Sequence, residues 1–162
     1  MAISKQKKEV LLDGLTKALQ GTGSIVFVKF NKLTVFDANA MRRTLQKSDI
    51  GYKVAKKTLL KRALETNGYT GTLPNLEGEI AVAYGSDMLA PAREVYEFQK
   101  THKEVVSIEG GVFENVFKSK EEMMAIATIP GVDTLRGMFV NIINSPIQRL
   151  VIALDQISKA KA

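Results

Sequence analysis

Along the first 118 residues, apolar positions alternate between helical spacing and unbroken β-branched runs. Val10, Leu11, Leu15, Ala18 and Leu19 recur at three and four residues. This predicts a helix from a Ser4 cap to about Gln20, ended by Gly21 and Gly23. Ser24–Phe30 is apolar and β-branched and predicts a buried strand. Thr34 with Asp37 three residues on is a variant capping box, opening a helix to about Ser48 with Ala38, Met41 and Leu45 inward. A short strand, Tyr52–Ala55, leads into a helix over Lys56–Thr66, with Leu59, Leu60, Ala63 and Leu64 inward and Asn67-Gly68 closing it. A loop containing Pro74 separates this helix from a strand over Glu79–Tyr84. A helix from Asp87 to about Lys100 follows, with Pro91 in its first turns, and then a strand over Val105–Phe113. Gly110-Gly111 within that strand predicts a bulge. The fourfold alternation of helix and strand predicts an α/β fold, a sandwich around a central mixed sheet.

After Lys118 the strand signals stop. Ser119 caps a short helix to about Thr128, and Ile129-Pro130-Gly131 breaks it. Val132, Leu135, Met138, Phe139, Ile142 and Ile143 then recur at helical spacing. Ser145-Pro146 reads as a second break, a cap with a first-turn proline that starts a last helix to about Lys159. Ile147, Leu150, Val151, Leu154 and Ile157 form its apolar stripe, and no later element follows to cover them. By pattern alone such a terminal helix folds back on the sheet; the alternative is a strip that waits for a partner. The boundary is expected near 130, giving an α/β domain over 1–130 and a helical segment over 131–162.

The charge is segregated. Residues 1–70 carry 14 Lys/Arg against 5 Asp/Glu, whereas residues 71–162 carry 9 against 12. A polyanion is the expected partner of the first half, because fixed cations displace the counterions of a phosphate backbone. The cations recur where they can converge. Lys5, Lys7 and Lys8 open the first helix; Arg42 and Arg43 lie mid-helix; Lys53 lies on a strand. Lys56-Lys57-Thr58 opens the next helix, where free backbone N–H groups favour a phosphate, and Lys61 and Arg62 follow one turn later. Tyr52 is the one aromatic in this stretch, which favours the backbone and shape of folded RNA over base stacking.

Catalytic chemistry finds no assembled constellation. Without cysteine there is no disulfide, thiol nucleophile or Cys-ligated zinc. His102 is the single histidine and reads as a solvated helix-end residue. Glu121 and Glu122 are adjacent, so on a helix they point about 100° apart and suit a helix N-terminus better than a shared substrate. Gly21-Thr22-Gly23 precedes a strand, the wrong order for a dinucleotide loop. No cofactor, no metal and no enzymatic role are expected. Nor does the N-terminus resemble a signal peptide, and no run is expected to supply the roughly 18–20 apolar residues of a membrane span, so a cytosolic chain with no membrane partner is expected.

Leu33-Thr34-Val35, then Met41-Arg42-Arg43, then Val54-Ala55-Lys56-Lys57-Thr58-Leu59 and Ala63, resembles the stalk-base family of bacterial large-subunit ribosomal protein ten. The likeness continues in order through Glu79–Tyr84, the Glu-Gly-Gly strand, Ala127-Thr128-Ile129-Pro130 and the C-terminal helix. Lys57 replaces the family's usual asparagine and Met41 its leucine, while Gln46 stands where a second arginine is common. The resemblance implies a structural constituent of the large subunit, cytoplasmic and ribosome-associated. Its N-terminal domain would hold large-subunit rRNA beside a neighbouring stalk-base protein. Its last helix would anchor acidic stalk-protein dimers (ribosomal protein seven/twelve), with room for two, which recruit translational GTPases. In that case Ile147, Leu150, Val151, Leu154 and Ile157 become a docking strip. The alternative is a stand-alone RNA-binding regulator of an mRNA leader, which uses the same cations and has no need of the strip.

Overall fold

The computed structural model describes residues 5–74, 76, 78–102 and 105–161, and the side chains of those from Lys8 to Ala160. The element order is α1 (Lys5–Leu19), β1 (Ser24–Phe30), α2 (Val35–Lys47), β2 (Gly51–Val54), α3 (Lys57–Asn67), β3 (Glu79–Gly85), α4 (Ala90–Thr101), β4 (Val106–Phe113), β5 (Val116–Lys118), α5 (Lys120–Ala127) and α6 (Val132–Lys161). The chain divides into two compact units, Met1–Ile129 and Pro130–Ala162.

The first unit is the expected α/β sandwich. Its five strands lie in the order β2-β3-β1-β4-β5. Every ladder between these strands is antiparallel, and the parallel element is an isolated bridge between Thr70 and Val116. β1 is central and buried on both faces. Val26 and Val28 point into one core with Met41 and Leu45 of α2, Val95 of α4 and Met123 of α5. Ile25 and Phe27 point into the other with Leu15 and Leu19 of α1 and Leu60 and Leu64 of α3. The period-2 alternation of a strand thus assigns α1 and α3 to one layer and α2, α4 and α5 to the other.

Local signals end the elements close to where the sequence places them. Thr34 caps α2, its hydroxyl accepting from the Asp37 backbone N–H and donating to the Asp37 carboxylate at 2.7 Å. Gly68 closes α3 in the left-handed region at φ 71°. The β1–β4 register slips between Phe27 and Val28, and Gly110, at φ 145°, stands at that bulge. A Cβ there would lie 2.8 Å from the Lys118 carbonyl oxygen, so glycine is required. The Ser4 cap lies outside the described residues.

One strand is added and three expectations are corrected. The short strand β5 pairs with β4 across Glu114 and Asn115, both at positive φ, a two-residue hairpin turn whose twist suits the strands. Val10 and Leu11 are exposed rather than inward, because the face of α1 that meets the core carries Leu15 and Leu19, with Leu12 packed partly against it. His102 caps α4, stacks on Phe98 at 4.3 Å and places Nε2 3.6 Å from Asp37 Oδ1, so it ties α4 to the start of α2 instead of standing free in solvent. Finally, Ser145-Pro146 does not divide the C-terminal segment: α6 runs 30 residues with Pro146 inside it. The ring removes one backbone hydrogen bond, and the intact bonds of the neighbouring turns on both sides carry the helix across it.

As a unit by itself, α6 has no core. Its large apolar side chains, from Val132 to Ile157, are all more than about two-fifths exposed. By length and composition alone the helix is apolar enough to cross a membrane, which the sequence reading did not anticipate because Asn141, Asn144, Ser145 and Gln148 interrupt the run.

Two outcomes follow from these elements. Pro146→Ala should restore the missing bond and favour the helix by up to about 3 kcal/mol. Amide exchange near residues 142–150 of the full chain should slow accordingly. At α5, Ser119 and Glu122 form a reciprocal capping box, and acceptance of the Ser119 backbone N–H holds the Glu122 carboxyl below its usual range. A lowered folded value stabilises above the ordinary carboxylate pKa and is lost as pH falls through the folded one. Ser119→Ala should cost about 1 kcal/mol at neutral pH by urea denaturation. Glu122→Gln, which removes the titrating carboxyl, should flatten the acid limb of the stability curve.

Candidate RNA interface

The margin of the α1/α3 layer meets the sheet at β2, an edge strand four residues long. There α1, β2, α3 and one side chain of α2 enclose a groove of about 820 Å³. Lys8 reaches it from α1, Arg42 from α2, Lys53 from β2, and Lys56, Thr58 and Arg62 from α3. These six come from the eleven residues expected to bind RNA. The helical period decides the rest. Lys57 is half-buried and faces a shallower neighbouring groove of about 600 Å³, which Glu79 also lines. Arg43 and Lys61 are exposed and line neither. Lys5 and Lys7 lie in α1, and their side chains fall outside the described residues.

No carboxylate appears among the described groove-lining residues. Among the described residues, none of Lys8, Arg42, Lys53, Lys56 or Arg62 is in an ion pair. The five cations are exposed and reinforce one another's field in a concave place. Two of them are held. Arg42 sits over the Tyr52 ring at 5.9 Å, and Lys53 over the Tyr84 ring at 5.9 Å while donating to the Gly14 carbonyl at 3.2 Å. Burial raises the Tyr52 hydroxyl's pKa, with Arg42 pulling it the other way, so the phenol stays neutral and keeps its proton. The N-cap of α3 is Lys56, whose side chain offers no acceptor and makes no capping bond to the first N–H groups. Those donors and the helix dipole suit an anion.

The groove walls include residues that the sequence reading assigned to the core or to no role. Val10 and Leu11 had been placed in the stripe of α1, and Val54 and Ala55 in β2; all four line the groove with Leu59. The available signal was the width of α1's apolar arc.

The model of the family described as ribosomal protein L10 matches residues 3–100, from α1 through most of α4. The chain belongs to the ribosomal protein L10 family. It is thus a structural protein of the large ribosomal subunit, working in translation within a particle of rRNA and other ribosomal proteins. The matched stretch holds every residue of the groove; β4, β5, α5 and α6 lie beyond it. Among the described residues there is no group of three His, Cys, Asp or Glu able to hold a metal.

Neighbouring cations on α3 provide a test of the groove. Arg62 lines it and Lys61 does not. Arg62→Ala should lower the salt slope of binding to a large-subunit rRNA fragment by about one unit. Lys61→Ala should leave the slope nearly unchanged. Filter binding over a range of salt concentrations reads both.

Proposed function

We propose that the chain is a non-enzymatic adaptor at the base of the ribosomal stalk, working in the cytoplasm. The α/β unit holds folded large-subunit rRNA, beside a neighbouring stalk-base protein, and α6 anchors acidic stalk-protein dimers that recruit the translational GTPases. The observation that carries the first half is the convergence of Lys8, Arg42, Lys53, Lys56 and Arg62 on one groove without a described carboxylate. Such a field favours a polyanion, and an uncapped helix N-terminus beside it supplies directed N–H donors.

The second half is supported by α6. Leu135, Phe139, Ile142, Ile143, Pro146, Ile147, Leu150, Leu154 and Ile157 fall on one side of the helix with Val151 at its margin, and Asn141, Asn144, Gln148, Asp155 and Lys159 fall on the other, where Ile152 also lies. A mostly polar arc, interrupted by Ile152, suits a helix seated in a partner's groove, with one side in water. A span surrounded by lipid has no use for that arc. Because Pro146 does not interrupt the helix, the strip extends beyond Ile147–Ile157 to Leu135, about 33 Å at 1.5 Å per residue. That accommodates two dimers end to end. A stand-alone regulator of an mRNA leader would use the basic groove and leave this strip without a purpose.

Leu150→Asp with Leu154→Asp should abolish co-migration with acidic stalk dimers in native mass spectrometry. Burying each leucine in a partner is worth about 1.5–3 kcal/mol, and a carboxylate there reverses the sign. Both residues are about 60% exposed, so the circular dichroism and melting of the α/β unit should not change. Global unfolding of the variant would instead place the strip in a core and end the docking reading.

A further inference from the structure

The basic groove has features that phosphate binding leaves unexplained. Val10, Leu11 and Val54 line it and are 71%, 49% and 53% exposed. Scattered exposed aliphatics are ordinary, but these three share one concavity ringed by five cations. A phosphate backbone gains nothing from such walls. Gly14 adds a second observation. It sits inside α1, lines the same groove, and a Cβ added there would meet no atom within 4 Å. Glycine weakens a helix relative to alanine, and no packing constraint requires it here. What its absent side chain does is keep the groove open. A third is the pairing of an aromatic ring with a guanidinium at the groove, Arg42 lying over Tyr52 at 5.9 Å. β2, beside it, is a sheet edge whose outward N–H and C=O groups have no strand partner.

An occupant matching all of these has a planar, largely apolar body with polar edges, tethered to anionic groups. Those are the properties of an unpaired nucleotide. Splayed bases are read by stacking on aromatic rings or guanidinium planes and by hydrogen bonds at their edges. The volume of about 820 Å³ lies within the range of small-molecule clefts and suits one base with its sugar and flanking phosphates. The geometry points to a groove that captures a single unpaired nucleotide of the bound RNA. Its base lies against Val10, Leu11 and Val54, and its phosphates lie among Lys8, Lys56 and Arg62. This rests on the RNA-binding reading above and adds to it: the protein recognises a bulged or looped-out position as well as a folded backbone.

The test uses the full chain and two RNA hairpins, one fully paired and one carrying a single bulged 2-aminopurine. The bulged hairpin should bind at least tenfold tighter, with a change in 2-aminopurine fluorescence on binding. Gly14→Leu fills the groove without altering its charge and replaces a poor helix former with a good one. It should bring both hairpins to the affinity of the paired one. Equal affinities with the unsubstituted chain, or a bulge preference that survives Gly14→Leu, would overturn the proposal and leave phosphate-driven RNA binding standing. Failure to bind either hairpin, with the Val54 methyl resonances shifted by an acidic amphipathic peptide instead, would overturn both readings in favour of a protein partner.

Discussion

The α/β unit depends on β1 being buried on both faces and hydrogen-bonded on both edges. Ile25, Val26, Phe27 and Val28 are all fully buried, β3 pairs along one edge and β4 along the other. A central strand with two apolar faces forces the helices into two layers, since each face must be covered. Once α1 and α3 take the face of Ile25 and Phe27, their neighbouring ends and the short edge strand β2 form the groove. The functional surface is therefore a margin of the core. It exists because β2, at four residues, leaves the end of that helical layer only partly supported.

The groove gathers cations at an electrostatic cost that the fold does not offset with carboxylates. Arg42 and Lys53 are partly accommodated by the Tyr52 and Tyr84 rings, and Lys53 by the Gly14 carbonyl. These contacts orient the charges without neutralising them. Lysine at the cap of α3 leaves helix donors that its own side chain does not satisfy, where serine or aspartate would have closed one. Local stability is forgone where an anionic partner would restore it.

The C-terminal unit follows different physics. A single helix cannot bury its own apolar stripe, so α6, described by itself, has secondary structure without a core. Pro146 within it fits this picture, because nothing packed around the helix has to adapt to the ring. The asymmetry of α6, apolar on one side and polar on the other, is what gives the segment a direction in which to meet a partner.

Much of this was legible in the sequence because it is local. Strand β1, the caps at Thr34 and Ser119, the αL closure at Gly68 and the bulge at Gly110 each depend on a few neighbouring residues, and all stand where the chain pattern puts them. Segregated charge indicated a polyanion, and the series from Leu33 to Ala63 indicated the family. Tertiary structure decided which cations meet. Lys56 and Lys57 are adjacent in sequence, yet Lys56 lines both grooves and Lys57 only the shallower one, while of Lys61 and Arg62 only Arg62 reaches a groove. It also decided that Val10 and Leu11 stand in a groove wall and Leu15 and Leu19 in a core, since only contact with the sheet separates two parts of one apolar arc. Periodicity reports that a residue is apolar and on a helix. Which part of that helix another element covers is a long-range property, fixed only when β1 has its neighbours.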